Sequence, residues 1–212
     1  MTANDNTYKE KLLEDISELF LKFGLRSTSM DDIANHLKIS KKTLYQYFEN
    51  KDNVVEEVML FRIRDRANRH YIQEIRKENP IAIIKHIKQF VIDDLNSRLP
   101  ANDFDMKKYH PAVYTKIKNM EEELTREFLK ELLDRGIEEG YFRANIDKDL
   151  QIYLINRPMR YVSDPDINMK MEYPITTVVC TVLDNFMRAL ATEKGIREIE
   201  KYEEKTKTDD NQ

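Results

Sequence analysis

Cysteine occurs once in this chain, and glycine and proline are scarce, four and six among 212 residues. Each scarcity excludes something. The single thiol, Cys180, cannot form an intrachain disulfide, and its place in the apolar run ITTVVCTVL suits burial as a small hydrophobe in a reducing compartment. Few turn-forming residues argue against the strand-and-turn pattern of an all-β protein. No apolar run approaches the ~20 residues that a membrane span requires, and the first residues, MTANDNTYKEK, lack an apolar signal core. A soluble cytoplasmic protein without a membrane partner is expected.

What is present points to helices. Hydrophobic residues make up 41% of the chain, enough for a sizeable core, and charged residues 35%, which suits long helices with solvated faces. Leu12, Leu13, Ile16, Leu19, Phe20 and Phe23 form an i, i+3, i+4 stripe ended by Gly24. Similar stripes run through Val54–Met59, Ile81–Leu95, Leu124–Ile137 and Pro174–Leu190, with Asn50 as a cap before the first of these. Leu99-Pro100-Ala101-Asn102 reads as a loop, and Pro111 breaks or kinks a helix around Met106–Met120. The expected fold is all-α, with about nine helices. Residues 1–50 would form an amino-terminal domain, 51–192 a helical regulatory and dimerisation domain, and 193–212 a polar tail that frays or is disordered.

The net charge of −4 argues against a protein that coats nucleic acid over its whole surface. Yet between Lys22 and Lys51 six basic residues face three acidic ones. The first fifty residues also hold three short helices. Ser29-Met30-Asp31-Asp32 has the form of a capping box, Lys38-Ile39 makes a tight break, and Ser40 can cap a helix in which Leu44 and Phe48 face inward. This layout matches a helix-turn-helix. The DNA major groove, roughly 12 Å wide, admits one helix, which must be short and polar on its outward face. SKKTLYQYFENKD meets that demand. Lys41, Lys42 and Gln46 can reach base edges, Thr43 a base or a phosphate, and Tyr45 and Tyr47 phosphate oxygens.

Leu19-Phe20, Gly24, Ile33-Ala34, Ile39-Ser40, Leu44-Tyr45, Phe48, Lys51 and Val54 together resemble the amino-terminal domain of the tetracycline-repressor (TetR) family over roughly residues 8–60. The resemblance implies a three-helix DNA-binding domain, a linking fourth helix and a variable regulatory domain that dimerises. Carried over residue by residue, it puts Ser29 and Met30 at phosphate, Lys41, Lys42, Thr43 and Gln46 at bases, Tyr45 and Tyr47 at phosphate or nearby bases, and Lys51 at phosphate. Two positions depart from the family pattern. Lys38 stands where glycine is usual, which implies a left-handed residue costing about 1 kcal/mol or an altered turn, and Lys42 replaces another frequent glycine.

One such domain reads too few base pairs to be selective, so a homodimer on a pseudo-palindromic DNA operator is expected. Ile152, Ile155, Val178, Val179, Val182 and Phe186 are the residues expected at the dimer interface, with monomer core as their other reading. A small-molecule effector of unknown identity is implied by the resemblance, with Phe90, Tyr109, His110, Tyr114, Phe128 and Tyr153 as aromatic, polar-tipped pocket residues; each is otherwise core. Ligand-released repression is the expected mode. An all-α enzyme is the competing reading, but the four histidines are scattered, no Glu-x-x-His pair or Gly-rich phosphate loop occurs, and no metal, cofactor or catalytic residue is expected. A helical adaptor without DNA binding is the third.

Overall fold

The computed structural model describes the backbone of residues 3–68, 77–97, 100–162, 164–168, 170 and 172–209, and the side chains of residues 7–64, 77–89, 91–93, 102–161, 164–167, 170 and 172–204. Among the described residues there are eleven helices and no strand. They are α1 (Ala3–Phe23), α2 (Met30–His36), α3 (Lys41–Tyr47), α4 (Lys51–Asn68), α5 (Pro80–Ser97), α6 (Pro100–Tyr109), α7 (Pro111–Glu138), α8 (Lys148–Val162), α9 (Pro165–Asn168), α10 (Ile175–Leu190) and α11 (Glu193–Asp209). An isolated antiparallel bridge joins Phe142 to Ala191.

The chain forms two compact units, Met1–Arg69 with Arg98–Glu121 and His70–Ser97 with Glu122–Gln212. This division differs from the expected one at residue 50. In the first unit, Leu12, Leu13, Ile16 and Phe20 of α1 pack with Ile33, Leu44, Phe48, Val54, Val55 and Val58. The same core takes Met106 from α6 and Val113 and Ile117 from α7, so the helix-turn-helix is completed by residues far along the chain. In the second unit, Ile81 and Ile84 of α5, Leu132 and Leu133 of α7, Ile152 and Ile155 of α8, Phe186 and Met187 of α10 and Ile199 of α11 share a core.

Several local expectations hold for simple reasons. Gly24 ends α1 with φ +84°. Ser29 and Asp32 form the full reciprocal capping box, Ser40 Oγ accepts from Thr43 N at 3.0 Å, and Asn50 Oδ1 accepts from Asn53 N at 2.9 Å. His110 separates α6 from α7 immediately before Pro111.

The turn between α2 and α3 is built around Lys38, whose φ is +55°. Lys38 N bonds Asn35 O at 3.2 Å and Ile39 N bonds Ala34 O at 3.1 Å, the paired bonds of a Schellman ending that requires a left-handed residue between them. Lys38 therefore accepts the strain and keeps the turn. Lys38→Gly is expected to stabilise the first unit by about 1 kcal/mol, because glycine carries no left-handed penalty. Urea denaturation checks this, and an unchanged or lowered midpoint would show that the turn is unstrained.

Two expectations are corrected. Pro100-Ala101-Asn102 is not loop but the first turn of α6, because proline at the first helical position loses only an N–H that would have no intrahelical partner there. The tail is not frayed through residue 209. It forms α11, whose Ile199 is buried and whose Ile196 and Tyr202 pack on the second core. Three apolar residues at three-residue spacing were masked by the charge around them. Pro158 lies inside α8 without ending it.

Candidate nucleic-acid interface

The short helix α3 divides into two faces. Leu44 and Phe48 are essentially inaccessible, at 0% and 1% exposure. Lys41, Lys42, Tyr45 and Gln46 are exposed, while Thr43 and Tyr47 are half-buried. Thr43 Oγ1 lies 2.8 Å from Ser40 Oγ, and the Tyr47 ring lies 5.6 Å from that of Tyr8, tilted at 55°. The structure thus adds Tyr8, from α1, to the edge of the helix that carries Tyr47. Nothing in the local sequence pattern signals that neighbour.

Lys41 Nζ pairs with Asp31 Oδ1 of α2 at 2.7 Å, both groups well exposed. The bond to Asp31 holds the Lys41 ammonium above its ordinary pKa, so it stays cationic, although an exposed pair of this kind adds little stability. Lys42 brings a further cation to the exposed face.

At the start of α2, Ser29 is exposed and Met30 is half-buried against the first core. Ser29 N donates to Asp32 Oδ2 at 2.8 Å, Ser29 Oγ donates to the same oxygen at 2.6 Å, and Asp32 N donates to Ser29 Oγ at 3.2 Å. The Ser29 hydroxyl and then its amide hold the Asp32 carboxyl below the usual carboxylate range. Its folded pKa lies below the unfolded one. The cap therefore stabilises above the ordinary carboxylate pKa and loses that contribution as pH falls through the folded value.

Lys51 is less free than its expected phosphate role suggests. It is half-buried, and its Nζ donates to Leu25 O at 2.5 Å. Burial lowers its pKa against the opposing pull of Asp105, Asp32 and Asp52. An ammonium has three donors, so this bond and a phosphate contact are compatible.

The six expected effector residues are not brought together in one unit. Tyr109, His110 and Tyr114 belong to the first unit and Phe128 and Tyr153 to the second; the side chain of Phe90 lies outside the described residues. Tyr109 carries Arg26 over its ring at 5.2 Å. His110 is buried, with Nδ1 2.5 Å from Asp52 Oδ1. Phe128 packs half-buried on the second core, and Tyr153 is 53% exposed. A small cleft in the first unit, lined by Leu21, Met59, Arg62, Asn102 and Ile117 among others, measures about 30 Å³, well below the size of a typical small-molecule pocket.

The expected dimer residues are also redistributed. Ile152, Ile155, Val179 and Phe186 are buried within the protein, and Val178 and Val182 are half-buried. Ile152, Ile155 and Phe186 belong to the second unit's own core and Val182 packs against it, where α10 meets α5 and α8. The helical period turns a different row outward on α8: Leu150, Tyr153, Leu154 and Tyr161, at 48%, 53%, 51% and 62% exposure.

A capped α2, a tight turn and an α3 that leaves Lys41, Lys42 and Gln46 exposed define a helix-turn-helix DNA-binding protein. Residues 12–58 match the family model described as bacterial regulatory proteins, tetR family. Over 171 residues the chain is 31% identical to the HTH-type transcriptional repressor KstR2 of Mycobacterium tuberculosis, covering 74% of this chain and 80% of that protein. It is 24% identical over 191 residues to the HTH-type transcriptional regulator YvaF of Bacillus subtilis, covering 87% and 96%. A crystal structure of a TetR family regulator from Cytophaga hutchinsonii shares the fold, with a TM-score of 0.67 at 16% identity over 91% of this chain and 98% of that one. The chain belongs to the TetR family and is a DNA-binding transcriptional regulator.

Proposed function

We propose that this regulator is a homodimeric repressor that reads a pseudo-palindromic operator with one α3 from each copy and leaves it when a small molecule binds. The observation that carries the reading is the division of α3, with Leu44 and Phe48 sealed in the core and Lys41, Lys42, Tyr45 and Gln46 exposed. Lys41, Lys42, Thr43 and Gln46 take base-edge roles. Tyr45 and Tyr47 reach phosphate or nearby bases, and Ser29, Met30 and Lys51 hold the backbone. Occupying a promoter is enough to block polymerase, which favours repression over activation. The work is binding rather than catalysis, carried out in the cytoplasm. No helix among the described residues is long and apolar enough to cross a membrane.

Two copies are needed because one recognition helix spans too few base pairs. The exposed row on α8 offers the surface: a two-fold axis would set Leu150, Tyr153, Leu154 and Tyr161 against the same residues of a second copy. Selecting bound fragments from the host genome tests the reading. Recovered sites should share an inverted repeat, and their affinity should fall steeply with salt; failure to enrich any duplex would overturn it. The double variant Leu150→Glu/Leu154→Glu is expected to sediment as a monomer and to lose operator binding. A dimer that survives both charges would remove α8 from the interface.

A further inference from the structure

Residues 24–28 carry the chain from α1 to Ser29, and side chains from distant helices hold much of their backbone. Asn102 Oδ1 accepts from Leu25 N at 3.0 Å, and Asn102 Nδ2 donates to Phe20 O at 3.0 Å. Asp105 Oδ2 accepts from Arg26 N at 3.1 Å. Lys51 of α4 donates to Leu25 O. Within the loop itself, Thr28 Oγ1 donates to Gly24 O at 2.8 Å. Asn102 is 7% exposed and Leu25 is 0% exposed, so the amide bond between them is shielded from water. Both ends of one buried side chain therefore hold backbone 77 and 82 residues away.

Leu25 N left without Asn102 would carry the full desolvation penalty of a buried N–H, so the segment would move to find another partner, while the exposed Arg26 N would lose the fixed acceptor that Asp105 provides. Its end is Ser29, where the amino terminus of α2 is set. A binding constellation tolerates displacement of only about 0.5 Å before its contacts weaken. We infer that Asn102 and Asp105 of α6 are positioning residues for operator binding, which touch no DNA and hold the 24–28 loop so that α2 meets phosphate while α3 meets the groove. This rests on the DNA-contact roles proposed above for Ser29 and α3.

The test uses full-length protein and a fluorescent duplex selected from random-sequence DNA by the native chain, with affinity measured well below each variant's melting temperature. Asn102→Ala is expected to bind about tenfold or more weakly and Asp105→Ala several-fold more weakly, both with an unchanged salt slope, because the contact at α2 is made by neutral hydroxyl and amide groups. Amide exchange at Leu25 and Arg26 should quicken. Asp105→Asn keeps an acceptor for Arg26 N and should stay within about twofold of native, as should Lys116→Ala, which removes only the Lys116–Glu56 pair elsewhere in the same unit. Native-like affinity in both alanine variants would overturn the inference, whatever happens to their melting temperatures. Equal weakening in Lys116→Ala would overturn it too, because it would reveal general loosening. If the native chain selects no duplex, the DNA-contact reading fails first, which separates the two outcomes.

Discussion

A Lys42→Ala/Gln46→Ala double variant is expected to lose most of its discrimination between the selected operator and an unrelated duplex while melting like the native protein. Both side chains are exposed on α3 and one helical turn apart, so they can face neighbouring bases in the same groove. A good bidentate base contact discriminates by about 1–3 kcal/mol, so two independent ones amount to about 2–6 kcal/mol, about thirtyfold or more in relative affinity. Folding should be almost untouched, since substitutions at exposed positions usually stay within about 0.5 kcal/mol. Anisotropy titrations with both duplexes at one salt concentration measure the ratio directly. An unchanged ratio would mean that α3 reads bases with other residues. Lys51→Ala should behave differently. It should weaken both duplexes alike by removing a charge, and also lower stability because Leu25 O loses its bond.

Gly136→Ala and Gly195→Ala are expected to destabilise the second unit, against the helix propensity that favours alanine by about 1 kcal/mol. Gly136 lies within α7, and a Cβ there would stand 2.0 Å from Cδ2 of Phe142, a ring only 1% exposed. That ring has no solvent to retreat into. Gly195 lies in α11, and its Cβ would stand 2.3 Å from Tyr141 O, a backbone atom. The backbone at this point is pinned on several sides. Tyr141 N and Phe142 N both donate to Gly136 O at 2.8 Å, Arg143 N to Leu190 O at 2.9 Å, and Thr192 N to Tyr141 O at 2.9 Å. Overpacking of such sites typically costs about 1–3 kcal/mol, and a forced backbone shift belongs at the upper end. Thermal unfolding gives the sign at once: if either alanine variant melts at or above the native temperature, helix propensity has won and the close approach is not real.

Much of the DNA-reading unit was legible because its signals are local. Gly24, Ser29 with Asp32, Ser40 and Asn50 mark helix ends through bonds spanning three or four residues, and the structure uses each of them so. Even the departure at Lys38 announced itself, since a residue standing in for glycine at a tight turn must either go left-handed or change the turn. Less was legible in the second half. Apolar character, the shared mark of the six expected dimer residues, does not distinguish a helix facing its own core from one facing a second copy. Ile152, Ile155, Val179 and Phe186 are buried within a single copy, which favours the core reading for these four. α11 leaves little trace in the sequence because Ile196, Ile199 and Tyr202 are too few among charged neighbours to register until a core exists to receive them.

By itself the amino-acid order determined the helical class, the capped helix-turn-helix and the polar outward row of α3, because caps, turns and the 3.6-residue period act within a few residues of their cause. Only the tertiary structure decided that Asn102 and Asp105 hold the loop before Ser29, that Lys51 bonds Leu25, and that α8 turns Leu150 and Leu154 outward. Those assignments depend on which distant surfaces meet, and a hydrogen bond across 77 residues leaves no periodic trace in the chain that makes it.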